Sequence, residues 1–392
     1  MKKIILMMLL FSAMLHANAT MSQKSYNLLM EAQKNIEEDK IKEAKILLNT
    51  LLEEKNSYVQ SYAYQYLANI SLHNGDYKSS KKYYETIIKL NALDKERIDE
   101  IKFSLSRIYL SLEQYSQSLK LSHELLKNSK IDKKDIYEIF VFAYYYTQNF
   151  KKSIFYSQKF ISVSKEKKEN IYQILYASYI ELKDHKNAIK TLKVMTRKWY
   201  TQKNYWLQLA SLYQENKKYK KALSTIELSY KKNVLDPKKH TLFFVNLLFQ
   251  NELYQKASST LELAFKENFL KENKETFELL ISSYLNAKEY DKAIIKLSHS
   301  KLAKKKKYTK ILANLYYNKH DYKSTITTLT KKMKQKIKRS DTELHILLAL
   351  SYFEINKKQN SITHLREIFH SKKKKRAITL AKALRINIDD LK

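Results

Sequence analysis

The sequence predicts an all-α protein, an α-solenoid of about ten antiparallel helix pairs. A small residue recurs every 32 to 38 residues, the chain of 392 residues holds one Gly and one Pro, and apolar residues between the small ones follow a helical period. The recurring residues are Ala44, Ser80, Ser118, Ser153, Ala188, Ala222, Ala257, Ala293, Thr325 and Ser361. A repeat of this length indicates one elongated array that offers an extended surface.

Glycine and proline are almost absent from the chain. Only Gly75 and Pro237 are present. All-β and α/β folds need turns with positive φ and glycine-rich loops between their strands, so this composition excludes them. We therefore expect helices joined by short turns of Asn, Lys and Asp.

The clearest copy of the repeat begins at Lys203 and ends near Asp236. Its first predicted helix presents apolar residues at positions i, i+3, i+4 and i+7, and its second helix begins after the turn at residues 216–218. Because Ala210 and Ala222 are small, we expect the two helices to approach each other most closely there. The residues that define this copy are Trp206, Leu209, Ala210, Tyr213, Ala222 and Ile226.

These six residues stand in the order and spacing of the tetratricopeptide repeat signature, and over residues 25–371 the chain resembles that family, with no particular member indicated. The resemblance implies a right-handed superhelix whose first helices line a concave groove that binds a peptide or a helix of a partner protein. The groove positions in this chain would be Gln65, Asn69, Arg107, Glu138, Phe142, Gln173, Ser211, Asn246, Ser282, Lys310, Asn314 and Tyr317.

The N-terminus is typical of a secretory signal peptide. Two lysines precede a run of residues 4–15 that is apolar except for Ser12, and Ala17 and Ala19 are the small residues that a signal peptidase reads. The apolar run is shorter than the roughly 20 residues that span a bilayer. We expect cleavage after Ala19 and a periplasmic mature chain that lacks a transmembrane helix.

The predicted organisation therefore has three parts. Residues 1–19 are the signal peptide, residues 20–371 form the helical repeat array, and residues 372–392 form a C-terminal capping helix and tail. The capping helix should include Ala377 to Ile386, with Ile378, Ala381 and Leu384 turned towards the last repeat.

The formal net charge of +34 is large, but only 7 of the 74 basic residues are Arg. Recognition of phosphate or guanine favours Arg, and an exported protein does not meet the chromosome, so a nucleic acid is not the expected partner. A basic ridge near the C-terminus could bind anionic lipid or a cell-wall polymer, or its cations could simply stabilise helix C-termini. Its residues are Lys304, Lys305, Lys306, Lys307, Lys331, Lys332, Lys334, Lys336, Lys338, Lys372, Lys373, Lys374, Lys375 and Arg376.

The sequence contains no arrangement that indicates catalysis. It has no cysteine, no histidine spacing suited to a metal and no glycine-rich phosphate loop, so no catalytic, metal or cofactor residue is predicted. We expect a non-enzymatic scaffold that binds a partner protein of the cell envelope, as part of a motor, transport or cell-wall assembly. The alternatives are an envelope-surface binder that uses the basic ridge and, if residues 1–19 are not a signal, a cytoplasmic RNA-binding repeat.

Overall fold

A computed structural model describes residues 21–332 and 337–392, which form helices and no strand. The first unit contains α1 (Gln23–Glu37), α2 (Ile41–Leu52), α3 (Ser57–His73), α4 (Tyr77–Leu90), α5 (Lys95–Ser111), α6 (Tyr115–Asn128), α7 (Lys133–Tyr146), α8 (Phe150–Val163), α9 (Glu169–Glu181) and α10 (His185–Lys198). The second unit contains α11 (Lys203–Glu215), α12 (Tyr219–Lys231), α13 (Thr241–Gln250), α14 (Tyr254–Lys266), α15 (Lys274–Asn286), α16 (Tyr290–His299), α17 (Lys306–Asn318), α18 (Tyr322–Thr327), α19 (Thr342–Glu354), α20 (Lys358–Phe369) and α21 (Lys374–Ala383).

The helices pack as consecutive pairs inside two compact units, of which the first extends to Tyr200 and the second begins at Thr201. Each odd-numbered helix from α1 to α19 packs against the even-numbered helix that follows it, and within a unit each pair packs against the next. We call the odd-numbered member the first helix of its repeat and the even-numbered member the second helix. The all-α repeat fold that the sequence predicts is confirmed.

The recurring small residue lies at the contact between the two helices of each pair. All ten of these residues are fully buried. Ser118 and Ser153 also donate their hydroxyl protons to first-helix carbonyl oxygens twelve residues upstream, at 2.8 Å on Ser106 and 2.9 Å on Val141. At these two positions serine serves where alanine would, because its hydroxyl finds an acceptor in the partner helix, whereas the buried hydroxyls of Ser80 and Ser361 have no hydrogen-bond partner among the described residues.

Every turn inside a pair contains one residue with positive φ, five positions before the small residue. The ten residues have φ between 55° and 75°, and nine of them are not glycine. They are Asp39, Gly75, Glu113, Gln148, Lys183, Lys217, Glu252, Lys288, His320 and Asn356. The scarcity of glycine correctly predicted that the described residues form no strand. It did not reveal that the turns between paired helices need the left-handed backbone conformation, which costs an L-residue about 1 kcal/mol.

A hydrogen bond recurs between successive pairs. A tyrosine near the end of a first helix bonds to a polar residue on the second helix of the preceding repeat. The pairs are Tyr109 with Glu85 (2.7 Å), Tyr144 with His123 (2.9 Å), Tyr179 with Gln158 (2.9 Å), Tyr284 with Glu262 (2.8 Å) and Tyr316 with Ser298 (3.1 Å). These five bonds help to fix a pair on its neighbour, since buried phenols need a polar partner.

The C-terminal helix packs on the last repeat. In α21, Ala377 and Ala381 are fully buried against α20 and Ile378 is half-buried, and Leu384, which directly follows the helix, is half-buried in the same cluster. The helix begins at Lys374 and ends at Ala383, so Ile386, which is also buried, follows the helix and is not part of it.

Candidate functional site

The predicted groove residues lie on one face of the first helices. In the first unit we define the first-helix face by the positions three before, one after and four after a central residue of each first helix, which is Ala68 in α3, Ser106 in α5, Val141 in α7 and Tyr176 in α9. All twelve residues are exposed or half-buried: Gln65, Asn69, Leu72, Phe103, Arg107, Leu110, Glu138, Phe142, Tyr145, Gln173, Ala177 and Ile180. Because α5 packs against α7 and α7 against α9, the residues on these three helices form a continuous surface.

This face carries two charged residues, Arg107 and Glu138, of which Glu138 is in an ion pair. Lys168, which precedes α9, makes an ion pair of 2.6 Å with Glu138 on α7. The guanidinium carbon of Arg107 lies 6.0 Å from the ring centroid of Phe103, one turn earlier on α5. The side-chain oxygen of Asn69 accepts a hydrogen bond of 2.8 Å from the Tyr84 hydroxyl. The face therefore offers apolar and amide groups and little net charge.

Aromatic rings cluster where α7 ends. Tyr146 is 54% exposed, and its ring stacks on Tyr115 with the centroids 5.6 Å apart. Tyr145 meets Tyr146 edge to face at 5.6 Å and Phe150 at 5.7 Å. Rigid, partly exposed rings of this kind supply contact area at a low cost in conformational entropy.

An open pocket lies at the α9 end of the same face. Gln173 lines it together with Lys168 and Trp199. Trp199, which ends α10, meets Tyr172 edge to face with the ring centroids 5.4 Å apart.

In the second unit the predicted positions fall on α11, α13, α15 and α17. Asn246, Lys310 and Asn314 are exposed, whereas Ser211, Ser282 and Tyr317 are half-buried. The Asn314 amide donates to the backbone oxygen of Lys310 at 2.8 Å, so it is engaged by its own helix. Tyr317 meets Tyr322 edge to face at 5.5 Å.

The predicted basic ridge is largely an edge of helix N-termini. Lys306 and Lys307 lie in the first turn of α17, and Lys374, Lys375 and Arg376 lie in the first turn of α21. A cation is unfavourable at that end of a helix, so the expected stabilisation of C-termini does not apply to these residues.

Carboxylates of neighbouring helices compensate part of this charge. Lys306 pairs with Asp341 at 2.6 Å, Lys307 pairs with Glu278, and Arg376 pairs with Glu343 at 2.5 Å.

The other ridge residues divide into three groups. Lys305, Lys331, Lys338, Lys372, Lys373 and Lys375 are exposed, and Lys374 lies 4.3 Å from the centroid of the Phe369 ring. Lys334 and Lys336 are outside the described residues, as are the side chains of Lys304 and Lys332.

A histidine pair in the last repeat escaped the sequence analysis. The Nδ1 atoms of His345 and His364 are 3.1 Å apart, and Nε2 of His345 lies 3.2 Å from the backbone oxygen of Lys338. The ring of His364 stacks on Tyr352 with the centroids 5.6 Å apart. Burial lowers the pKa of both histidines, and that of His364 falls to about 4. The sequence pattern that could have revealed this pair is that His345 and His364 are nineteen residues apart, at positions that meet when the two helices of one repeat pack together.

Charge is divided unequally between the two kinds of helix. The ten first helices carry 13 Lys or Arg and 14 Asp or Glu, whereas the ten second helices carry 26 and 7. The sequence composition gave only the total. The helix bounds show that, among the paired helices, the net positive charge lies on the second helices and that the first helices are close to neutral as a set.

The described residues contain neither a cluster suited to a metal ion nor a helix suited to span a membrane. No group of three or more His, Asp or Glu in residues 21–332 and 337–392 could hold a metal ion. None of the helices in those ranges combines the length and the apolar character needed to cross a bilayer. The predicted signal peptide lies outside the described residues.

The chain has a tetratricopeptide-like helical-repeat fold. Solved structures similar to it include a tetratricopeptide repeat protein from Parabacteroides merdae, with 13% identity over 67% of this chain and 99% of that one and a TM-score of 0.41. The C-terminal part of a TPR repeat-containing protein from Cytophaga hutchinsonii shows 14% identity over 71% and 98%, with a TM-score of 0.36. The Naa15/Naa10 complex bound to HypK-THB shows 14% identity over 94% and 59%, with a TM-score of 0.45.

Neither a protein-family profile nor a curated protein matches the chain. Because every TM-score given above is below 0.5, the fold assignment rests on the ten buried small residues and the paired helices.

Proposed function

We propose that the chain is a non-enzymatic adaptor that holds an extended peptide or a helix of a partner protein along its first-helix face. The observation that carries this proposal is the continuous surface of α5, α7 and α9, on which apolar, aromatic and amide side chains remain partly exposed. Side chains that only form a core are fully covered, and a face that only meets water carries mostly charged side chains. Partly exposed apolar, aromatic and amide side chains are therefore typical of a binding surface.

The neutrality of the first helices supports a peptide as the ligand. Glu138 is already paired with Lys168, so Arg107, which lies over the Phe103 ring, is the one charged residue of the first-helix face that a partner has to desolvate or pair. Apolar contacts from Phe142 and Tyr145 can then provide affinity, while Gln65 and Gln173 supply hydrogen-bonding groups for backbone or side chains of the partner.

We further propose that the mature protein works in the bacterial periplasm and serves an envelope assembly such as a motor, a transporter or a cell-wall machine. The support is the signal-peptide pattern of residues 1–19, with its small residues at Ala17 and Ala19. N-terminal sequencing of the protein recovered from the periplasm should begin at Thr20. Recovery of an unprocessed chain from the cytoplasm would contradict this location.

Site-specific photocrosslinking in the source cells tests the adaptor function. A photoreactive phenylalanine analogue at Phe142 should give one discrete adduct with another protein, because that side chain lies in the middle of the first-helix face. The same analogue at Lys127, an exposed residue of α6, is the matched control and should not give that adduct. An equal yield of the adduct at both positions, or no adduct at Phe142, would refute binding on this face.

A further inference from the structure

Cations recur at the same positions of the second helices in the first unit. They lie two residues before, two residues after and nine residues after the buried small residue, spacings that share one side of a helix. The residues are Lys78, Lys82 and Lys89 on α4, Lys120 and Lys127 on α6, Lys151 on α8, and Lys186, Lys190 and Arg197 on α10. All of them are exposed, and together with Lys159 and Lys193 we call them the second-helix face.

None of these cations takes part in an ion pair with the residues that the structure describes. The four helices contain only two carboxylates, and both are engaged elsewhere: Glu85 accepts a hydrogen bond of 2.7 Å from Tyr109, and Glu124 pairs with Lys102 of α5. In the second unit, by contrast, Lys256 on α14 pairs with Glu227 on α12 at 2.6 Å. Asp184, which precedes α10, interacts electrostatically with Lys186 and Lys190 without forming an ion pair, so the second-helix face of the first unit keeps most of its positive charge.

Composition alone does not produce this arrangement. The first helices of the same unit, α1, α3, α5, α7 and α9, carry 8 basic and 9 acidic residues, whereas α4, α6, α8 and α10 carry 14 and 2. A bias towards lysine codons would raise the lysine content of both sets. The separation of charge by helix position indicates that a partner of negative charge covers this face.

Large apolar side chains are exposed on the second helices of the same unit. Phe155 on α8 is 50% exposed at the position that lysine occupies in α4, α6 and α10, and Lys159 lies 5.5 Å from its ring centroid. Val163 at the end of α8 is 52% exposed, and Ile46 on α2 is 67% exposed. Apolar side chains among lysines match the boundary between lipid headgroups and acyl chains, which a soluble polyanion does not offer.

We propose that the second-helix face of the first unit docks on the surface of an anionic lipid bilayer. Ten of its eleven cations are lysines, which act as point charges on flexible stems and suit a diffuse layer of headgroups better than a fixed phosphate. Phe155 and Val163 enter the headgroup region between the lysine rows. This surface is separate from the first-helix face, so the protein can be held at a membrane while its groove binds another protein.

Co-sedimentation with vesicles tests the proposal, using the chain that begins at Thr20 and keeps every described helix. The chain should bind vesicles of phosphatidylcholine with 30% phosphatidylglycerol at 50 mM NaCl and should be released at 500 mM NaCl. Each lysine near an anionic surface contributes roughly fivefold to partitioning, so replacing three by glutamine, Lys186→Gln, Lys190→Gln and Lys193→Gln, should lower the partition coefficient on the order of 100-fold.

A second triple variant removes the same charge from exposed first-helix residues of the same unit. Lys24→Gln, Lys34→Gln and Lys133→Gln should change the partition coefficient less than about threefold, because these residues lie away from the second-helix face. Circular dichroism should show that both variants keep their helix content. Equal losses in the two triples would mean that total charge and not this face drives binding, and would overturn the proposal.

Phe155→Ser separates a bilayer from a soluble polyanion. On the anionic vesicles this variant should partition several-fold more weakly, because its apolar ring no longer enters the interface. Its affinity for inorganic polyphosphate should stay unchanged. If the chain binds polyphosphate tightly and Phe155→Ser partitions onto vesicles as strongly as the unmodified chain, the face binds an anionic polymer. That result would overturn the proposal of a lipid bilayer.

Discussion

The Tyr284 hydroxyl provides the sharpest test of how one repeat is held on the next. Tyr284 is buried on α15 and donates a hydrogen bond of 2.8 Å to Glu262 on α14, whose carboxylate also lies 3.2 Å from Lys292 on α16. Tyr284→Phe removes that bond and leaves the ring in place. A hydrogen bond to a charged acceptor contributes about 1.5–3 kcal/mol, and since Lys292 still compensates Glu262 we expect a loss near 1.5 kcal/mol.

The loss can be measured by hydrogen exchange. Because each repeat contacts only its neighbours, the effect should concentrate in α14 and α15, where the slowest amides should exchange about tenfold faster. Tyr213→Phe is the matched control. Tyr213 occupies the same repeat position and is buried, but its hydroxyl makes no hydrogen bond to any residue that the structure describes.

Two results would refute this reasoning. Exchange in α14 and α15 that differs by less than about twofold between Tyr284→Phe and the unmodified chain would mean that the bond between repeats contributes nothing. Equally faster amide exchange around residue 213 in Tyr213→Phe would mean that removing a tyrosine hydroxyl acts through the surroundings of the ring. The hydrogen bond from Tyr284 to Glu262 would then not be the cause of the effect.

Three further outcomes follow from the packing. Gly75→Ala should lower the free energy of unfolding in urea by about 1 kcal/mol. The φ of Gly75 is 75° and no neighbouring atom lies within 4 Å of the added Cβ, so only the backbone conformation opposes the change. Gly75→Asn should lower the free energy of unfolding less. Ala222→Leu should cost about 2 kcal/mol or more, since Ala222 and Ala210 are both fully buried where α12 meets α11, and an unchanged urea midpoint would contradict a close contact. Acid should destabilise the last repeat, because the pKa of His364 is about 4 in the folded chain and its ordinary value is 6.5. As the pH falls, the unfolded chain therefore binds a proton before the folded chain does. Up to about 3 kcal/mol of the free energy of unfolding is lost between pH 6.5 and pH 4. Denaturation between those pH values should show this slope, and His364→Gln should flatten it, with His345 left as the remaining titrating group.

The repeat positions could be read from the sequence because close packing between helices permits only small side chains. Ala188, Ala222 and Ala257 carry this signal directly, and Ser118 and Ser153 satisfy it because their hydroxyls bond to the partner helix. The first residue of α11 and the first residue of α12 follow equally well, since the apolar stripes change direction at the turn of residues 216–218.

Other features depended on contacts between residues far apart in the chain. The left-handed turns at residues such as Lys217 have no glycine to mark them, because the packed helices on each side hold the backbone there. Likewise, Lys306 and Arg376 look like unpaired members of a basic ridge until the neighbouring helices bring Asp341 and Glu343 beside them. The candidate face was therefore predictable as a set of positions but not in its electrostatics.

The sequence by itself determined the helical repeat, its period and the total charge, because these follow from local periodicity and composition. The tertiary structure alone decided where that charge is exposed: Glu138 and Lys168 neutralise each other on the first-helix face, while lysines such as Lys120 on the second helices form no ion pair with a described residue. Pairing between charges depends on distances of a few ångströms between separate helices, and only the packing of one repeat on the next sets those distances.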